Sequence, residues 1–162
     1  MESSQCNCPQ VYNAIIQSQS STKQLSLIIS FCFRYNLEQH GLAGRCTVLE
    51  GDNREVCPMG VADRVSLGLI PSSEVSWRTA CLALRDRGGL LHVHGNVETT
   101  KEKPRKETFR EYAETVREKI NGILNEVKKK DFSVSVNHIE CVKSYAPRIF
   151  HLVVDLKCEN NS

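Results

Sequence analysis

Two polar segments carry the residues best suited to chemistry. Gly51-Asp52-Asn53-Arg54 follows an apolar stretch, and ten residues later comes Arg64-Val65-Ser66-Leu67-Gly68-Leu69-Ile70-Pro71-Ser72-Ser73-Glu74. Both read as the C-terminal ends of β-strands, the edge at which open α/β sheets bind ligands. The Gly51-Asp52 pair frees backbone amides and presents a carboxylate, which suits the amino or hydroxyl groups of a nucleoside. Asp52 equally suits a turn or a helix cap. Pro71 cannot continue a ladder, and Ser72 or Ser73 stands where an N-cap is wanted. Glu74 fits the first turn of the following helix through the dipole, or the approach of a cationic substrate.

Other candidates are weaker. His92 and His94 alternate on one predicted strand and face the same side, but no third residue completes a metal-ligand spacing, so they read as core or loop-supporting histidines. His138 and His151 read as isolated and structural, and Trp77 as a packing residue. The eight cysteines have no paired spacing of a structural zinc site. Cys6 and Cys8 are one residue apart, and most others lie inside apolar segments as small buried hydrophobes. Without a secretory-type leader they imply a reducing compartment. Metal ligands are therefore expected to be absent.

The chain has 162 residues, one domain's worth, with 40% hydrophobic and 25% charged content, which is ordinary for a globular protein. A net charge of +2 does not by itself imply nucleic-acid binding. Local basic runs at Lys101 to Lys106 and Lys128 to Lys130 flank a predicted helix, where they could meet phosphates or simply be solvated. No apolar run reaches the length of a membrane span.

The elements that must position these residues follow from pattern. Residues 1 to about 22 are rich in Ser, Gln and Asn and read as a weakly formed lead. Lys23 to Gln39 reads as a helix closed near His40-Gly41. Strands are expected at Cys46–Glu50, Arg64–Ile70 and Leu90–Val97, and a helix over the apolar positions Trp77, Ala80, Cys81 and Leu84. A long helix runs from about Thr108 to Lys130. Two alternating strands, Phe132–Lys143 and Ile149–Lys157, are joined around Tyr145-Ala146-Pro147-Arg148. This order matches the later part of a seven-stranded α/β methyltransferase sheet. No Gly precedes Gly41, so the glycine-rich loop that opens such folds is not found.

Several segments together carry a family resemblance: Arg34-Tyr35-Asn36-Leu37-Glu38, Asn53-Arg54, Ala62-Asp63-Arg64-Val65 with Gly68 to Glu74, Gly89 to Val97, Val142 to Pro147, and His151-Leu152-Val153-Val154-Asp155. Over about residues 34 to 158 the chain resembles the tRNA wybutosine-synthesizing protein 2 family. The related tRNA guanine-37 N1-methyltransferases are a weaker match, because Gly68 stands where their Asn is expected. The resemblance implies a class I methyltransferase-like, Rossmann-like sheet. It also implies cytoplasmic transfer of the 3-amino-3-carboxypropyl group of S-adenosylmethionine to a tricyclic guanosine at position 37 of phenylalanine tRNA. Neither DNA nor a membrane is expected as a partner.

By the same resemblance Asp52 and Asn53 hold the adenine, and Gly68, Leu69, Ile70 and Pro71 flank the cofactor. No catalytic residue is assigned. The family's acidic ribose ligand falls at Gln24, and residues 1 to 33 do not match. The expected organisation is a divergent lead over 1–33, a transferase segment over 34–158 and a tail over 159–162. The alternative is a shortened, non-catalytic form that retains an RNA- or partner-binding surface. Strand edges at Cys46 and Arg64 are then expected to lack neighbours.

Overall fold

The computed structural model describes residues 12–17 and 23–162, with side chains described from residue 31 onward. The expectations for Cys6 and Cys8 lie outside the described residues. The chain forms two compact units, residues 1–57 and 58–162.

In the first unit, β1 (Tyr12–Gln17) pairs in parallel with β2 (Cys46–Gly51). The intervening helix α1 covers Lys23–Gln39, as its pattern predicts. It ends where Gly41 adopts a φ of +65°. There the amides of Gly41 and Leu42 bond back to the carbonyls of Glu38 and Leu37 at 3.0 and 2.7 Å, satisfying the last turn. Arg34 on α1 donates through Nη2 to the Val48 carbonyl at 3.2 Å and to Glu50 Oε1 at 3.4 Å, tying the helix to β2. The strand β1 lies within the segment expected to be a weakly formed lead, and it gives the Cys46 strand the neighbour that expectation withheld. Extended chain beside an open parallel edge satisfies the backbone groups of both. A four-residue helix α2 (Asn53–Val56) closes this unit.

In the second unit the strands are β3 (Arg64–Leu67), β4 (Gly88–Glu98), β5 (Phe132–Ala146) and β6 (Ile149–Asn160). They lie in the order β3-β4-β6-β5. β3 runs parallel to β4, and β6 runs antiparallel to both β4 and β5. β3 is shorter than its apolar pattern suggests, because the chain leaves the ladder at Gly68 and turns at Pro71. Among the described residues its only strand partner is β4.

Helices α3 (Trp77–Ala83) and α4 (Arg105–Lys128) pack on one face of this sheet. α4 buries Phe109, Ala113, Val116, Ile120 and Leu124, one stripe at helical spacing. Ala113, Val116, Ile120 and Leu124 share one core with the fully buried Leu91, Val93, Val154 and Leu156, and Phe109 packs with Val97 and Leu152. Burial of each large side chain is worth about 1.5–3 kcal/mol, so this face anchors the fold. α4 ends at Lys129 in a left-handed conformation, φ 52°. There the Asn125 side chain donates to the Phe132 carbonyl at 3.1 Å and accepts from the Phe132 amide at 2.6 Å, fixing the entry into β5. β6 continues to Asn160, beyond the Lys157 at which its alternation was expected to stop.

Candidate functional site

β2 delivers Asp52 to the N-cap of α2, where its carboxylate accepts from the Arg54 amide at 2.9 Å. The Arg54 guanidinium also grips both carboxylate oxygens, with Nε at 2.9 and 3.1 Å. These bonds hold the Asp52 carboxyl well below its usual range, at about 2, so it is ionised at any ordinary pH. Arg54 Nη2 also donates to Oδ2, so each carboxylate oxygen accepts two bonds, and a further donor would have to displace part of the Arg54 grip. Gly51 has a φ of +140°, and a Cβ there would lie 2.7 Å from Val56 Cγ1. Only glycine allows α2 to fold back so tightly behind Asp52. The geometry bears out the capping reading of Asp52.

In the second unit the loop after β3 is held by backbone. The Asn96 amide donates to the Pro71 carbonyl at 2.9 Å, and Ser72 bridges to Gly95. Ser73, 1% exposed, donates through Oγ to the His94 carbonyl at 3.1 Å and accepts from Trp77 Nε1 at 3.1 Å. Ser72 Oγ accepts from the Glu74 amide at 3.2 Å. Thus Gly68-Leu69-Ile70-Pro71 are anchored at the Pro71 end to β4 and α3. Open space lies beside the Gly68 backbone, since a Cβ there would meet nothing within 4 Å, and Ile70 is 39% exposed. A close approach fixes the neighbouring strand: the Tyr112 hydroxyl lies where a Gly95 Cβ would stand.

Asp52 and Asn53 therefore sit in one compact unit and Gly68 to Pro71 in the other. Trp77 is buried, as expected of packing. Glu74 occupies the first turn of a short helix and pairs with Lys119 at 2.8 Å. Much of the basic character noted near α4 is internally used. Lys128 Nζ donates to the carbonyls of Leu82 and Leu84, Lys130 pairs with Asp86 at 2.8 Å, and Lys103 pairs with Glu111.

Sequence reasoning missed a polar cluster on the sheet face opposite α3 and α4. His92 Nδ1 lies 2.6 Å from Asp155 Oδ1, and His94 Nδ1 lies 3.1 Å from His151 Nε2. His151, read as isolated, also has the Tyr145 ring stacked on it at 5.8 Å and 21°. The signal was the alternation in β4 and β6 combined with their register, which sets His92 opposite Asp155 and Asn96 opposite His151. Among the described residues no group of three or more His, Cys, Asp or Glu is placed to hold a metal ion.

No family model matches the chain. It is 50% identical over 125 residues to "tRNA wybutosine-synthesizing protein 2/3/4" of Arabidopsis thaliana, covering 77% of this chain and 12% of that protein. It is 36% identical over 166 residues to "tRNA wybutosine-synthesizing protein 2 homolog" of Rattus norvegicus, covering 77% of this chain and 38% of that one. Over that segment the chain is similar to tRNA wybutosine-synthesizing protein 2. Its fold is likewise similar to the crystal structure of M. jannaschii TYW2 in complex with AdoMet, with TM-score 0.63 and 22% identity over 93% of this chain and 58% of that one. The fold is thus class I methyltransferase-like, as the strand order predicted. The chain spans well under half the length of the two curated wybutosine-synthesizing relatives. Among the described residues no helix is long and apolar enough to cross a membrane.

Proposed function

We propose that this chain supplies part of an S-adenosylmethionine-dependent transferase that modifies tRNA, moving the 3-amino-3-carboxypropyl group to a tricyclic guanosine at position 37 of phenylalanine tRNA. The observation that carries this reading is 36–50% identity to wybutosine-synthesizing relatives over 77% of the chain. Residues 34 to 158 are the proposed transferase segment, and the cytoplasm the proposed compartment.

S-adenosylmethionine would supply a sulfonium with three electrophilic carbons, and the carbon placed in line with the nucleophile reacts. When the carboxypropyl carbon bonds to the guanosine, its C–S bond breaks, the electron pair stays on sulfur, methylthioadenosine leaves, and the hydrogen replaced on the guanosine departs as a proton to solvent. The residues proposed for the co-substrate are those named from the sequence. Asp52 is ionised and would accept from the adenine amino group in exchange for part of its Arg54 grip, with Asn53 beside it. Gly68 leaves open space along its loop, which Leu69, Ile70 and Pro71 continue. Their work is orientation, so no acid or base is assigned to them.

Calorimetric titration of S-adenosylmethionine into the full chain tests this. Saturable binding is expected, weakened about tenfold or more in Asp52→Ala by loss of a charge-assisted hydrogen bond. A folded chain that binds RNA but no S-adenosylmethionine would overturn the transferase reading in favour of an RNA-binding module.

A further inference from the structure

The polar sheet face holds two buried atoms with no partner. Asn96 Oδ1 and His151 Nδ1 are each sealed from solvent and lack a hydrogen bond, although their residues are directly paired across β4 and β6. His151 is only 8% exposed, and its other ring nitrogen is engaged by His94. Leaving such groups unpaired is costly, so native sites that do so generally serve a ligand or an ordered water. The pair lies beside the candidate cofactor loop, since the Asn96 amide bonds to Pro71.

Two further residues indicate what the ligand is. Tyr145 stacks on His151 yet remains 44% exposed, and Lys143 Nζ lies 4.6 Å from the Tyr145 ring centroid. β5 is irregular here, with register shifts on either side of Ser144, so the ring can turn off His151 without breaking a regular ladder. An amide oxygen, an imidazole nitrogen, an aromatic platform and a cation match a planar heterocycle with edge donors and acceptors, attached to a phosphate. That is the chemistry of an unstacked RNA base.

We propose that Asn96, His151, Tyr145 and Lys143 form a nucleobase-binding site for RNA at this edge of the sheet. The proposal rests on the reading that the chain acts on tRNA, and names where an RNA base is held. Asn96 and His151 read the base edge, Tyr145 stacks on its face, and Lys143 meets the adjoining phosphate.

The test is fluorescence anisotropy of the full chain with a labelled stem-loop RNA and with the same RNA made abasic in its loop. The intact loop is expected to bind about tenfold or more tightly. Tyr145→Ala and Asn96→Ala should remove that preference while leaving abasic binding and its salt dependence unchanged. Tyr145→Phe, which keeps the ring, should retain it. Trp77 fluorescence verifies that each variant is folded, and Tyr145, being half-exposed, is the safer substitution. Equal affinity for both RNAs, or a preference that survives both alanine substitutions, would overturn the site and leave water as the partner of the two atoms. Absence of any RNA binding would overturn both this site and the RNA reading beneath it. Base preference without S-adenosylmethionine binding would overturn the transferase reading alone.

Discussion

Substituting Ser73 should unfasten the loop after β3 from two elements at once. Its hydroxyl donates to the His94 carbonyl and accepts from the Trp77 indole, both at 3.1 Å and in a buried setting. Ser73→Ala removes two bonds worth about 1 kcal/mol each and strands a buried indole N–H. The alanine methyl recovers little of this, so a loss of about 2 kcal/mol is expected. With a urea m-value of about 2 kcal/mol/M, the unfolding midpoint should fall by about 1 M. A Trp77→Phe background separates the terms, because phenylalanine has no N–H to strand. There Ser73→Ala should cost only about 1 kcal/mol, leaving a coupling of about 1 kcal/mol in the double-mutant cycle. A cost below about 0.5 kcal/mol, or an equal cost in both backgrounds, would refute the claim that Ser73 joins the loop to α3 and β4.

Two further outcomes follow from burial. The thiols of Cys81 and Cys158 are pushed up to about 12 by burial, whereas Cys32 and Cys141 are exposed. Mass spectrometry after treatment with a thiol reagent near pH 8 should find Cys32 and Cys141 modified and Cys81 and Cys158 protected until denaturant is added; early labelling of Cys81 would contradict the core. Burial, followed by the like charges of His151 and His92, lowers the His94 pKa below its ordinary 6.5. The unfolded chain then takes up this proton first as pH falls, so stability should decline as pH drops through about 6.5 toward the folded value. His94→Gln should flatten that slope in urea melts at successive pH values, and an unchanged slope would remove His94 as its source.

Much of the architecture was legible because periodicity is a local property. The helix at Lys23–Gln39, the long helix that became α4 and the alternating pair β5 and β6 follow from 3.6- and 2-residue repeats. Their boundaries moved where chain geometry intervened. β3 stops at Leu67 because Gly68 and Pro71 leave the ladder, and α4 begins at Arg105, directly after Pro104, although its apolar stripe starts at Phe109. The strand β1 was not legible, since Tyr12–Gln17 has no strong alternation and is defined by its parallel pairing with β2.

The sequence by itself determined the family resemblance, the placement of Asp52 and Gly68 to Pro71 at strand ends, and the apolar stripes that build the core. Only the tertiary structure decided that Ser73 links Trp77 to β4, and that His94, His151 and Tyr145 form one cluster with Asn96 opposite His151. The reason is range. Spacing along a chain reports which face a side chain takes on its own element, whereas these contacts depend on strand register and on loop anchoring between residues far apart in sequence.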